Sequence, residues 1–206
     1  MKRTLSGAIA LIALIALSQS LGTTALAGEP VRNAKAQAST AAARAEIKRG
    51  EYLVMIMACH DCHTPKKMGP QGPEPDFSRS LSGHPEGEMP PPPKLGDGPW
   101  MATVSWDLTA WSGPWGISYP INLTPDEDTG IGIWTEEMFL NTIRTGRHMG
   151  VSRPILPPMP WQVYAKATDQ DLKAVFAYLK SLPPIRNRVP EPVIIEPPEA
   201  PPAGKK

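Results

Sequence analysis

The sequence predicts a small helical protein with long irregular connections. Apolar residues recur at helical spacing in three segments, residues 47–57, 135–146 and 168–182. Half of the 26 prolines fall within residues 64–130, where little regular structure is expected. With only three Phe and four Tyr in 206 residues, the side-chain core must be small for the length of the chain.

The first predicted helix ends at a pair of cysteines. Glycine weakens a helix, so Gly50 is expected to be there because it allows close approach of another helix. The preceding residues 28–44 contain no large apolar side chain except Val31 and predict a linker or a frayed helix. The fold is therefore expected to begin near Ala45.

The other two helices have clear start signals. Thr135 is the expected N-cap of a helix that runs to Gly146, with two glutamates in its positive first turn. Thr168 begins a capping box for the last helix. The buried face of that helix is predicted to be Leu172, Val175, Phe176 and Leu179. Residues 185–206, after two prolines, predict an extended and exposed proline-rich tail.

Residues 1–27 have the layout of a secretory signal peptide. Lys2 and Arg3 precede an apolar stretch and a small-residue site that ends at Ala27. Cleavage would release a chain starting at Gly28 into the periplasm, and an uncleaved membrane anchor is the alternative.

Loss of Lys2 and Arg3 lowers the 21 basic residues to 19, against 20 acidic ones. This near-neutral charge argues against a nucleic acid partner.

The two cysteines belong to the sequence Cys59-His60-Asp61-Cys62-His63, which has the spacing of c-type haem attachment. In a helical turn, residues 59 and 62 lie on one side, so both thiols can reach the two vinyl groups of one porphyrin edge. His63 lies about 100° further round the helix and would ligate the iron from beneath the ring. One covalently bound haem is therefore predicted.

Three other interpretations fit the cysteines less well. A thioredoxin-like dithiol is expected in a βαβ context, whereas the residues before Cys59 look helical. A structural zinc site needs four ligands, and His84 and His148 stand alone in the sequence. A plain disulfide gives no role to the adjacent His63. His84, between glycine and proline, is expected to be an exposed loop residue.

A second axial ligand has to come from elsewhere in the chain. Met159 is the best candidate, because prolines on both sides hold its thioether in a stiff loop before the last helix. A methionine opposite a histidine is the ligand pair of many electron carriers. The alternatives are His148, Met149 or another methionine, and Met159 could also be a core filler. Arg153 is a candidate partner for a haem propionate, because it is close to Met159 in sequence.

With these residues, the chain resembles the class I c-type cytochromes. More narrowly, it resembles the monohaem domains related to the cytochrome subunits of periplasmic alcohol and aldehyde dehydrogenases. The resemblance covers most of residues 45–184. It is carried by residues 49–53, 59–65, 122–126, 129–135 and 156–182.

The resemblance implies an all-α, cytochrome c-like fold around one haem, with Met159 on the distal side. The first and last helices would cross, with Gly50 and Tyr52 against Phe176 or Leu179. Asn122 and Trp134 would lie near the haem propionates.

Residues 66–120 depart from the resemblance, because they are longer than such a domain requires. We call this segment the insertion. Its four tryptophans are expected to pack the loop against the haem edge, in preference to forming a docking surface. They are Trp100, Trp106, Trp111 and Trp115.

The leading functional prediction is electron transfer without catalysis, because an iron ligated by His63 and Met159 has no open position for a substrate. Electrons would pass from a dehydrogenase donor to a respiratory-chain acceptor such as a cytochrome or an oxidase. One alternative is a catalytic or gas-binding haem protein with an exchangeable sixth ligand. Another is a non-redox interaction module that uses the tryptophans of the insertion.

Overall fold

The computed structural model describes residues 29–91 and 100–195. The predicted signal segment 1–27 and the last part of the tail lie outside the described residues. The chain divides into two units, residues 1–38 and 39–206, and of the first only the helical residues 29–38 are described. The strands and the four later helices of the described chain all belong to the second unit. In the described chain, no helix combines the length and the apolar character needed to cross a membrane.

The described chain contains five α-helices and six short β-strands. The helices are α1 (Glu29–Ile56), α2 (Cys59–His63), α3 (Glu136–Thr145), α4 (Trp161–Tyr164) and α5 (Asp169–Ser181). The strands are β1 (Lys66–Gly69), β2 (Gly72–Pro75), β3 (Thr103–Val104), β4 (Trp111–Gly113), β5 (Gly116–Ser118) and β6 (Val193–Ile194). Single turns of 3-10 helix lie at Phe77–Arg79 and His148–Gly150.

The described part of the insertion contains short strands where the sequence predicted little regular structure, and the fold is therefore not all-α. β1 and β2 form an antiparallel hairpin, and β3, β4, β5 and β6 form a four-stranded antiparallel sheet in that order. The β1–β2 and β4–β5 hairpins each have a two-residue turn. In each hairpin the residue after the turn is a glycine with positive φ, Gly72 or Gly116. Glycine adopts this conformation without a steric penalty, so it closes these hairpins in spite of the prolines.

Helix α1 begins at Glu29, well before the expected start near Ala45. Of the two alternatives predicted for this segment, a linker or a frayed helix, residues 29–44 are helical. The side chains of residues 37–46 are exposed, in agreement with a composition that offers no apolar face. Alanine has the highest helix propensity, which accounts for a helical segment whose side chains are exposed over residues 37–46.

Helices α1 and α5 cross at Gly50. A Cβ atom on Gly50 would lie 1.9 Å from the carbonyl oxygen of Ala174 and 2.7 Å from Cβ of Tyr178. The predicted close approach of a second helix is confirmed, although its partners on α5 differ from the predicted Phe176 and Leu179. Tyr52, which was predicted to pack there too, is 54% exposed, and the Arg49 guanidinium lies 5.6 Å from the centre of its ring.

The caps of the two later helices are confirmed. The Thr135 hydroxyl accepts a hydrogen bond from the Met138 amide at 3.2 Å, and Thr168 accepts one from Asp171 at 3.1 Å. The predicted face of α5 is buried in the main core. That core consists of Leu53, Val54, Leu81, Ile131, Trp134, Phe139, Ile143, Leu172, Ala174, Val175, Phe176 and Leu179.

Residues 185–195, which we call the strap, pack against the insertion. Asn187 is 3% exposed; its amide nitrogen donates to the carbonyls of Ser82 at 2.7 Å and His84 at 2.8 Å. Its amide oxygen accepts a hydrogen bond from the Glu86 amide, and β6 in the strap pairs with β5. The strap is extended and largely exposed, as predicted, but the buried Asn187 and the pairing of β6 anchor it to the insertion. Residues 196–206 lie outside the described part.

His84 is buried, not an exposed loop residue as the sequence suggested. It is 1% exposed, and its ring nitrogens are hydrogen-bonded to the Thr109 hydroxyl, at 2.8 Å, and to the carbonyl of Glu88. The Thr109 hydroxyl also donates to the Asp107 carboxylate, and the His84 ring lies 4.7 Å from the Tyr119 ring. A buried polar network therefore organises the middle of the insertion.

Candidate haem site

An apolar cavity lies between the helical core and the β4–β5 hairpin. Cys59, Cys62, His63 and Met159 all line it. Its apolar walls include Trp111, Tyr119, Ile121, Leu123, Trp134, Phe139, Ile143, Ile155, Leu156, Leu172, Val175 and Leu179. The motif with Cys59, Cys62 and His63 is far from Met159 in the sequence, and the fold brings both to one apolar space.

Both cysteines lie on α2, one helical turn apart. They carry free thiols, and burial raises the pKa of Cys59 to about 12 and also raises the pKa of Cys62. Reactive dithiols have thiols whose pKa is lowered, so this pair does not fit a thioredoxin-like role. Two protonated thiols at the wall of an apolar cavity fit attachment to an apolar group.

The imidazole of His63 has a fixed orientation. Its Nδ1 atom is 2.8 Å from the carbonyl oxygen of Ile121, which can only accept, so Nδ1 donates. Burial lowers the pKa of His63 to about 4, so the ring is neutral at neutral pH and Nε2 carries no proton. Among the described residues, no group hydrogen-bonds to Nε2. A neutral imidazole with a free Nε2 lone pair and an anchored Nδ1 is the form that binds a metal ion.

Met159 lies in the segment between the 3-10 turn at His148–Gly150 and α4, and it packs against the main core. The segment is fixed to the sheet by Ser118, whose hydroxyl donates to the carbonyl of Pro157 at 2.6 Å. Of the alternative ligands, Met149 is not among the lining residues, whereas His148 and Met57 are. Three candidates for the second axial ligand therefore line the cavity: Met159, His148 and Met57.

Two of the three predicted propionate contacts also line the cavity. They are Trp134, which is 7% exposed, and Arg153, whose Nε lies 3.5 Å from the Glu191 carboxylate of the strap. Asn122 does not line it. Its amide oxygen accepts hydrogen bonds from the amide and hydroxyl of Thr124, and its amide nitrogen donates to Ile185. The Asn122 side chain therefore fastens the strap, and its contact with a propionate stays a prediction.

A sequence model of the cytochrome c family matches residues 47–183, most of the chain. The chain belongs to the cytochrome c family. The resemblance inferred from the sequence is thereby confirmed. Haem c is the cofactor that this family implies, and the donor set just described fits it: two thiols, a neutral imidazole and a thioether around an apolar space.

Similar proteins are cytochrome subunits of dehydrogenases. The fructose dehydrogenase cytochrome subunit of Gluconobacter japonicus is 30% identical over 155 residues, which is 75% of this chain and 25% of that protein. The gluconate 2-dehydrogenase cytochrome c subunit of Pantoea cypripedii is 31% identical over 132 residues, 64% of this chain and 22% of that protein. The alcohol dehydrogenase (quinone) cytochrome c subunit of Gluconobacter oxydans is 30% identical over 133 residues, 64% and 20% of the two chains. The cytochrome spans a quarter or less of the length of these relatives, and their family supports electron transfer, not catalysis.

The tryptophans of the insertion do not form one group in this cytochrome. Trp111 lines the cavity, and its Nε1 donates to the carbonyl of Leu108 at 2.8 Å. Trp100 and Trp106 are 82% and 56% exposed, and the ring of Trp115 covers Gly113. The tryptophans were predicted to pack the insertion against the haem edge. Trp111 lies at the cavity, in agreement with this prediction, whereas the prediction is wrong for the exposed Trp100 and Trp106.

Sequence reasoning missed three groups that support the site. They are the carbonyl of Ile121, the hydroxyl of Ser118 and the hydroxyl of Tyr164, which donates to the carbonyl of Met57. Each bond joins a side chain to a backbone carbonyl far away in sequence. Any residue supplies a carbonyl, so the sequence contains no pattern that would reveal these partners.

Proposed function

We propose that this cytochrome c is a periplasmic electron carrier with a single covalent haem. It passes electrons from a dehydrogenase-type donor to an acceptor of the respiratory chain. Cys59 and Cys62 would hold the haem covalently, and His63 and Met159 would ligate its iron. The observation that supports this most directly is the apolar cavity lined by all four side chains. When bound, the haem supplies a reversible one-electron couple.

The residues around the cavity have separate tasks in this proposal. The Nδ1–H group of His63 donates a hydrogen bond to the carbonyl of Ile121. This bond fixes the orientation of the ring and therefore the direction of Nε2. The aliphatic and aromatic walls exclude water. The soft sulfur of Met159 favours the ferrous state and therefore raises the reduction potential. If His63 and Met159 both ligate the iron, a substrate would have no open position there.

The partners and the compartment are supported by different observations. The related chains are cytochrome subunits of fructose, gluconate and alcohol dehydrogenases, which supports a dehydrogenase donor. The signal-peptide layout of residues 1–27 supports export to the periplasm. Mass measurement of the exported protein should give a chain that starts at Gly28 and carries one haem. Free Cys59 and Cys62 in correctly exported and matured material would contradict the proposal.

The ligand assignment is tested with Met159→Ala in the exported holoprotein. The variant should lose the weak far-red absorption of ferric methionine ligation, have a lower potential and bind carbon monoxide when reduced. His148→Ala and Met57→Ala are the matched controls, because both side chains line the same cavity. Both should keep the band. Loss of the band in a control, with retention in Met159→Ala, would reassign the ligand, and ready binding of carbon monoxide by the unmodified protein would favour a gas-binding or catalytic role.

A further inference from the structure

Tyr164 connects the two segments that carry the proposed axial ligands. It is the last residue of α4, five positions after Met159, and it lines the cavity. Its hydroxyl donates to the backbone carbonyl of Met57, 107 residues away in sequence. Met57 lies in the turn that leads directly into α2 with Cys59 and His63. A single hydrogen bond therefore joins the methionine segment to the cysteine turn.

The turn that receives this bond has an unfavourable backbone conformation. α1 ends at Ile56 and α2 begins at Cys59, so only two residues connect the helices. Ala58 has a φ of 55°, in the left-handed region that residues with a Cβ atom rarely adopt. Such a conformation persists when the surroundings hold it. The Met57 carbonyl adjoins this strained residue, so the Tyr164 hydroxyl helps to set the direction of α2.

The Tyr164 hydroxyl keeps its proton throughout the physiological range. Burial raises the pKa of Tyr164 to about 12. A carbonyl oxygen can only accept a hydrogen bond, so a phenol that stays protonated is the form that this contact needs. The contact is therefore independent of pH near neutrality.

We propose that Tyr164 is a positioning residue that holds the Met159 thioether in place against the turn carrying His63. This inference rests on the proposed function, in which both side chains ligate the iron. A soft thioether binds ferric iron less strongly than ferrous iron. The hydrogen bond from Tyr164 to Met57 therefore matters most in the ferric state, in which the bond between iron and the Met159 sulfur would be weaker.

The test is Tyr164→Phe in the exported holoprotein, which removes the hydroxyl and keeps the ring. Imidazole is the probe, because it competes with Met159 for ferric iron. Loss of one hydrogen bond should raise the affinity of the ferric protein for imidazole about fivefold. The ferrous protein should still exclude carbon monoxide. Tyr178→Phe is the matched control: Tyr178 is also partly buried, and no described residue hydrogen-bonds to its hydroxyl.

A double-mutant cycle separates positioning from general loosening of the fold. In a Met159→Ala background, no thioether competes with imidazole, so adding Tyr164→Phe should leave the affinity for imidazole unchanged. A similar increase in both backgrounds, or an equal increase in Tyr178→Phe, would overturn the proposal, as would an unchanged affinity in folded Tyr164→Phe alone. Failure of the proposed function is recognised separately, because the unmodified protein would then lack methionine ligation altogether.

Discussion

The helical core is held together by apolar side chains, whereas the insertion and the strap are held together by polar side chains bonded to backbone atoms. In the core, α5 buries a continuous face of Leu172, Val175, Phe176 and Leu179. In the second region, the buried apolar cluster contains only Ala110, Ile117 and Tyr119 among the described residues, with Val189 packed against it. Its other buried side chains include Ser82, His84, Asp107, Thr109, Ser118 and Asn187.

The two regions meet at the cavity, and each contributes what the other lacks. The core supplies apolar walls, and the end of the insertion leads into Ile121, whose carbonyl orients His63. Apolar packing tolerates changes that conserve volume. A buried polar group that loses its partner carries the full cost of desolvation. The insertion should therefore be sensitive to single polar substitutions, and the core to changes of size.

The largest effect is expected where the core permits no added volume. In Gly50→Val, the new Cβ would overlap the Ala174 carbonyl of α5 at 1.9 Å. The helices would have to separate, and the free energy of unfolding should fall by about 3 kcal/mol. Denaturant unfolding of the holoprotein measures this. Glu51→Ala, at the exposed neighbouring position, is the control and should change stability little; equal effects of the two changes would contradict the crossing at Gly50.

A smaller effect is expected from Asn187→Ala in the strap. The change removes both donors to the Ser82 and His84 carbonyls and the acceptor for the Glu86 amide. Leaving these groups without partners should cost about 2 kcal/mol. Hydrogen exchange should increase in the strap and the insertion but not in α5. Asn141→Ala, at an exposed position of α3, is the control, and exchange rising equally in α5 would show that the two regions are not separate.

The difference between the regions also explains what the sequence could predict. The α5 face, the caps at Thr135 and Thr168, the close approach at Gly50 and the cysteine motif are local patterns with a physical cause that can be recognised without a structure. These patterns predicted the helical core. The proline-flanked Met159 was also recognisable from its neighbours, and it lines the cavity.

The features that the sequence did not predict depend on contacts between residues that are distant in the sequence. His84 and Asn187 are buried, yet nothing in their sequence neighbourhoods indicates the carbonyls and hydroxyls that satisfy them. The hairpin turns before Gly72 and Gly116 were not predicted, because the neighbouring prolines indicated irregular structure. Asn122 was assigned to the cofactor by resemblance, although its amide is used in fastening the strap.

The smallest effect, and the one that depends on pH, is expected from Asp107→Asn. Burial alone would raise the pKa of the Asp107 carboxyl, but hydrogen bonds from Ser105 and Thr109 and the nearby His84 outweigh it and hold the pKa below its usual value. Because the folded state binds the proton less readily than the unfolded state, the carboxylate stabilises the fold above the unfolded pKa of about 3.9. This contribution is lost as the pH falls through the lower folded value.

Denaturant unfolding at neutral and at acidic pH isolates this contribution. At pH about 7 the variant should be less stable than the unmodified protein by about 1 kcal/mol, because an amide replaces one charged acceptor of the network. Below the folded pKa of Asp107 the difference should shrink, since the unmodified carboxyl is then protonated as well. Glu127→Gln, an exposed position, is the control for removing a surface charge. A difference between Asp107→Asn and the unmodified protein that is independent of pH would mean that packing, and not the charge of Asp107, stabilises the insertion.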